Sequence, residues 1–222
     1  MSQHDKDSVS RKGRESENAW PVKIQRLDEA KRQKILDIAQ EVVDKNHEME
    51  MNCAERTFAT VYDAFESYTD LPREIRRLTT AFGGGGGSTS YGLCGGVSGA
   101  LMGLGLFWGR VDPMDFFRTV GLNSIEEAKQ DQILAHQYQR IFNFFMKEFE
   151  QTFGSLICAR LLHNYLDPDG FYITDPPIVE ERKALCRRFT TWAPLRAVEL
   201  ILEGQQKGTQ HMKLMHNLHN TE

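Results

Sequence analysis

From Leu78 to Gly109 the chain carries no charged side chain, and glycine supplies 12 of the 27 residues between Gly83 and Gly109. An uncharged stretch of this length is expected to be buried, yet glycine is the poorest ordinary residue for helix and strand interiors. Any fold for this chain must therefore bury bare backbone, with Cys94 in the middle of it. A phosphate-binding loop is one use for such backbone. No lysine stands between Arg77 and Arg110, however, so the pattern G-x-x-x-x-G-K-[ST] is missing. A dinucleotide fingerprint lacks both its strand and an acidic partner about 20 residues further on. A membrane span is a second use, but the apolar part of about 17 residues sits at the lower limit for crossing. A buried core helix is expected, and no membrane span.

The third use lies in the spacing. Gly95, Gly99 and Gly103 fall four residues apart, so one side of a helix over 93–108 is almost free of side chains. Another backbone can then approach closely, either within the core or across a homodimer. In the sharper form of this reading, bare backbone beside Cys94, at Gly95, Gly96 and Gly99, leaves room and N–H donors for a bound inorganic cofactor.

The rest of the pattern is helical. Apolar residues recur at helical spacing from Leu27 through Ala30, Ile35, Ile38, Ala39, Val42 and Val43, which predicts an amphipathic helix of about six turns. Asn52 is a good N-cap for a second helix carrying Ala54, Phe58, Val61, Tyr62 and Phe65. Pro72 suits the first turn of a short helix over 72–81. Ser124-Ile125-Glu126-Glu127 is a capping box that opens the longest predicted helix, over 125–151. Gly154-Ser155 restarts the chain into a helix ending near Tyr165. Residues 166–177 read as a turn-rich loop with a short extended piece over 171–173. A last helix is expected over 179–202, broken or kinked at Pro194. No alternating strands and no repeat are visible, so the fold class is all-α, a multi-helix bundle with a glycine-rich buried loop and helix.

The 222-residue chain is long enough for a substantial core. Its net charge is −4, and its Lys and Arg residues are scattered rather than striped, which argues against a nucleic-acid surface. Residues 1–20 are polar and highly charged, without the apolar core of a secretory signal, and are expected to form a disordered tail. A cytoplasmic location is the matching expectation. The helical domain is expected over 21–204, followed by a His/Met-rich tail over 205–222.

Four cysteines, Cys53, Cys94, Cys158 and Cys186, include no C-x-x-C pair, so zinc-ribbon, ferredoxin and thioredoxin signatures are absent. No C-x-x-C-H exists for covalent haem. Cys53 follows the Asn52 cap, Cys94 sits where the glycine loop becomes helix, and Cys158 lies three residues after Ser155. Helix N-termini carry unpaired N–H groups and partial positive charge, so these three thiols are expected to be held as thiolates. Arg187 and Arg188 add positive charge beside Cys186. The alternative is that each cysteine is a small buried hydrophobe.

The order of these residues carries a resemblance. Asn52-Cys53-Ala54, a glycine run into Cys94, Phe153-Gly154-Ser155-Leu156-Ile157-Cys158 and finally Cys186 resemble the redox-active family named for its C, GCAxxG, C, C pattern. The similarity spans 31–203. The chain departs from the motif where Leu93 separates Gly92 from Cys94, and where Gly95-Gly96 replace the expected alanine. Related domains occur in split-Soret-type cytochromes, and the resemblance implies an iron–sulfur centre, [2Fe–2S] or [4Fe–4S], with Cys53, Cys94, Cys158 and Cys186 as its ligands. It further implies a redox protein that passes electrons to or from a partner protein. Two other classes stay open: a thiol–disulfide protein, and a structural helical dimerisation module with or without zinc.

The histidines are weaker candidates. His211, Met212, Met215, His216 and His219 crowd the C-terminal tail and could offer soft ligands to copper or haem iron. His136 and His163 are expected to be packed or surface residues.

Overall fold

The computed structural model describes residues 27–69, 71–109 and 140–207. The expected tail over 1–20, the expected C-terminal tail over 205–222 except residues 205–207, which continue the last helix, the capping box at Ser124, His136 and the histidines after Gly208 lie outside the described residues. Within them the regular elements are helices joined by loops, with two isolated bridges, Leu93 with Ile157 and Leu166 with Tyr172. No described helix is long and apolar enough to cross a membrane.

Helix α1, Glu29–His47, starts at Asp28, whose carboxylate accepts the Lys31 N–H at 2.8 Å. It buries Ile35, Ala39, Val43 and Asn46 on one face, the three- and four-residue spacing that its sequence predicts. Helix α2, Cys53–Ala64, opens on a full capping box. The Asn52 side-chain oxygen Oδ1 accepts from the Ala54 and Glu55 N–H groups, while the Glu55 carboxylate accepts the Asn52 backbone N–H. The amide of Asn52 also donates to the Thr80 carbonyl at 3.1 Å, which ties a 3-10 segment, Arg73–Phe82, to the start of α2. That segment replaces the α-helix expected over 72–81.

Helix α3 is Gly95–Trp108, and residues 140–153 form α4. Instead of one helix reaching Tyr165, a single turn, Cys158–Leu161 (α5), is followed by a 3-10 turn, His163–Tyr165. Helix α6 then runs from Pro176 to Lys207 without a break at Pro194. The expected interruption is overridden by packing. A helix-interior proline costs about 3 kcal/mol, whereas full burial of one large apolar side chain contributes about 1.5–3 kcal/mol. On both sides of Pro194, α6 buries Phe189, Ala193, Ala197, Val198, Leu200 and Ile201.

Helix α2 lies against α1, α3 and α6, and α6 also reaches α1 and α3. The core between them holds Phe58, Val61, Phe65, Val97, Leu104 and Phe107, with Phe65 and Phe107 rings 4.5 Å apart. A second aromatic group, Phe145, Phe149, Phe153, Phe189 and Trp192, joins α4 to α6. Arg196 reinforces that seam with two hydrogen bonds to the Glu148 carboxylate, at 2.7 and 3.1 Å.

The partner of the glycine face is α2 of the same chain. A Cβ on Gly99 would stand 2.5 Å from the Ala54 carbonyl oxygen, and one on Gly103 would stand 2.8 Å from a Val61 methyl. Gly105 lies off this face, and a Cβ there meets no described atom within 4 Å. Gly99→Ala is therefore expected to lower stability by about 1–3 kcal/mol, because backbone cannot move aside as a side chain can. Gly105→Ala is expected to raise it by about 0.5–1 kcal/mol through helix propensity. Urea midpoints that move the same way for both variants would contradict this packing.

His47 supplies a pH-dependent term. Its Nε2 is hydrogen-bonded to the Thr191 hydroxyl at 3.0 Å. Burial, followed by the charges of Arg56 and Arg187, moves its pKa down from 6.5 to about 4. Between these values the unfolded chain binds the proton and the folded chain does not, so the unfolded state gains as acid is added. Stability from His47 is thus complete above pH 6.5 and is lost as pH falls toward 4. In urea titrations, His47→Gln is expected to show a shallower decline than the parent across that window.

Candidate functional site

Four separate elements each bring one cysteine to the same place. Cys53 is the first residue of α2, Cys94 is the N-cap of α3, Cys158 is the first residue of α5, and Cys186 lies within α6. All four line one cavity of about 50 Å³, together with Gly84, Leu161, Leu162, Tyr172, Phe189 and Thr190. One water needs roughly 10–15 Å³ on that measure, so the cavity has room for several heavy atoms.

The backbone accounts for the convergence. Residues 90–94 run antiparallel to 156–159 through three hydrogen bonds. The Cys94 N–H donates to the Leu156 carbonyl at 2.8 Å, the Cys158 N–H to Gly92 at 3.0 Å, and the Ala159 N–H to Ser90 at 2.7 Å. Cys94 and Cys158 are thus set side by side across the Leu93–Ile157 bridge. Cys53 reaches them because residue 95 has no side chain, since a Cβ there would stand 2.0 Å from Cys53 Sγ. Gly99 continues the close approach one turn later, while a Cβ on Gly96 would stand 3.2 Å from the Phe189 carbonyl oxygen of α6. Of the three glycines singled out from sequence, Gly95 adjoins a cysteine sulfur, and the other two set helix spacing.

The glycine loop supplies a donor. Gly84, at φ +56°, gives its N–H to Cys53 Sγ at 3.3 Å. The Gly96 N–H, in the first turn after Cys94, favours negative charge on the Cys94 sulfur. Cys158 Sγ is 3.4 Å from the Tyr172 hydroxyl. Tyr172 is held there by its bridge to Leu166, in a loop closed by the Asp167 carboxylate, which accepts from the Asp169 and Phe171 N–H groups. Two cations border the sulfurs. The Arg182 guanidinium lies 4.2 Å from the Tyr172 ring centre, and Arg56 is fastened by donation to the Asn46, Met49 and Met51 carbonyls.

The expected thiolates are not what this environment favours by itself. Burial raises the Cys94 thiol far above its usual range, and the neighbouring Cys53 and Cys158 add to the shift. Burial also raises Cys158. Cys186 is pushed up to about 12 by burial and then by Cys53 and Cys158, with Arg182 and Arg56 pulling the other way. Desolvation and mutual repulsion outweigh the helix-end charge on which the thiolate expectation rested. A bound cation reverses that balance, because a coordinating thiol is deprotonated outright.

Among the described residues, no three or more His, Cys, Asp or Glu side chains converge on one metal-ion position. All four cysteines line one shared cavity. All four cysteines are free of disulfides. His163 stands apart from the cavity, exposed, with Nδ1 donating to the Arg160 carbonyl at 2.9 Å.

Tyr172, Ser90, Arg56 and Arg182 were not singled out from the sequence. Two of them left a trace there. Arg56 lies three residues after Cys53, and Arg182 four before Cys186, the spacings that put two side chains on one helix face. Tyr172 and Ser90 lie in loops and left none.

No curated protein and no solved structure matches the chain. The model of a family described as "Putative redox-active protein (C_GCAxxG_C_C)" matches residues 51–200, a span containing all four cysteines, and the chain belongs to that family.

Proposed function

We propose that Cys53, Cys94, Cys158 and Cys186 hold an iron–sulfur cluster, and that the protein exchanges electrons with a partner protein. The observation that carries this reading is the meeting of four thiols, from four separate elements, around one cavity. The donor set fits the group. Four thiolates are the complete ligand set of a [2Fe–2S] or [4Fe–4S] centre, whereas zinc needs its sulfurs about 2.3 Å from a single ion. Thiols that line one shared cavity suit a core of several atoms better than one ion.

Bound there, the group supplies one-electron chemistry. The residues of the chain do the rest. The Gly84 N–H donates to the Cys53 sulfur and the Gly96 N–H lies at the helix start beside Cys94, both stabilising negative charge on sulfur and thereby favouring a reduced centre. Arg56 and Arg182 offset the charge that four thiolates bring. Leu161, Leu162 and Phe189 keep water from the cavity wall. No side chain is called on to break a bond, so electron transfer is favoured over bond chemistry. A reducing compartment such as the cytoplasm suits four unpaired thiols.

Protein purified without oxygen is expected to be brown and to contain iron and acid-labile sulfide. Both are expected to fall by more than tenfold in Cys53→Ser and Cys158→Ser. Colourless protein that takes up neither after anaerobic reconstitution overturns the cluster. If its thiol titre also falls in pairs on mild oxidation, the thiol–disulfide reading takes its place.

A further inference from the structure

Tyr172 lines the cavity beside the cysteines and brings a polar atom to one of the sulfurs. Its hydroxyl stands 3.4 Å from Cys158 Sγ, at a distance where either atom can be the donor. A thiolate bound to a metal has no proton to give. Once Cys158 is a ligand, the tyrosine O–H must be the donor and the sulfur the acceptor.

The Ser90 side chain stands near the tyrosine oxygen and favours negative charge on it. Ser90 is buried and sits at φ +66°, a left-handed conformation that side-chain-bearing residues rarely adopt. Two 2.7 Å backbone bonds hold it there, from its own N–H to the Gly84 carbonyl and from the Ala159 N–H to its carbonyl. Gly84 is the residue that donates to Cys53, and Ala159 follows Cys158. The same short backbone therefore sets two sulfurs and the serine beside the tyrosine. Arg182 packs on the ring face, which strengthens the hold on its orientation and adds positive potential at the phenol.

We propose that Ser90, Tyr172 and Arg182 form a relay aimed at one of the four sulfurs: Ser90 donates to Tyr172, and Tyr172 donates to Cys158. Its effect is to make Cys158 a weaker electron donor and to raise the reduction potential of the centre it ligates. Tyr172 is a positioning residue, acting through Cys158. Chained hydrogen bonds polarise one another, so loss of Ser90 weakens the bond two atoms away. The proposal rests on the cluster reading given above.

The test uses the full-length protein reconstituted anaerobically with iron and sulfide and, separately, loaded with cobalt(II), comparing Tyr172→Phe, Ser90→Ala and the parent. Tyr172→Phe keeps the ring and its packing on Arg182, and removes only the donor. It is expected to shift the reduction potential to lower values and the sulfur-to-metal charge-transfer bands to longer wavelength. Ser90→Ala is expected to give a smaller shift in the same direction, with iron and sulfide content unchanged in both. A structural role alone would move the melting temperature and leave potential and bands in place. Loaded Tyr172→Phe with parental potential and bands overturns the relay and leaves the cluster standing. A parent protein that takes up neither iron with sulfide nor cobalt(II) overturns both.

Discussion

The contact on which this molecule depends is the one between Gly95 and Cys53, where a sulfur occupies the space a side chain would take. The α2–α3 packing has to be that close for the first cysteine to reach the second, and Gly99 and Gly103 keep the two helices at the same spacing further along. The poor helix propensity of glycine is the cost of this arrangement. It is offset by burial of Val97, Ala100, Leu104 and Phe107 on the other faces of α3. Packing and site are therefore one constraint rather than two.

A second set of constraints comes from backbone that is neither helix nor sheet. The hydrogen bonds between 90–94 and 156–159 set Cys94 beside Cys158, although 64 positions separate them in the chain. The loop from Gly83 to Ser90 folds back on itself through left-handed conformations, and its amide at Gly84 faces Cys53. Extra side chains there would meet backbone, as a Cβ on Gly85 shows by standing 2.7 Å from Ser90. These segments leave a rigid frame around the sulfurs, with helices anchoring its ends.

The electrostatics of that frame are unfavourable until something positive enters it. Cys94, Cys158 and Cys186 all resist ionisation, burial being the first cause for each. The N–H groups of Gly84 and Gly96 and the charges of Arg56 and Arg182 all favour thiolate. The two tendencies oppose each other, and in the proposed reading a cationic core would tip the balance toward thiolate.

The helices could be read along the chain because their causes are local: apolar spacing in α1, the Asn52–Glu55 box before α2, and the glycine periodicity of α3. Their presence and the all-α class follow from that alone. Family membership could be read from the order of the four cysteines. The continuity of α6 through Pro194 could not, because a lost backbone bond is weighed there against core burial that only the assembled bundle supplies. Nor could the ionisation of the thiols, since a helix end is a local feature while burial, the largest cause for each, and the other cysteines come only with the assembled fold. Tyr172 and Ser90 meet Cys158 through loop backbone with no periodicity to mark it. Local chemistry along the chain thus determined the elements and the donor atoms. The tertiary structure decided which donors share a cavity, what borders them and how hard it is to charge them, because all three depend on groups far apart in sequence.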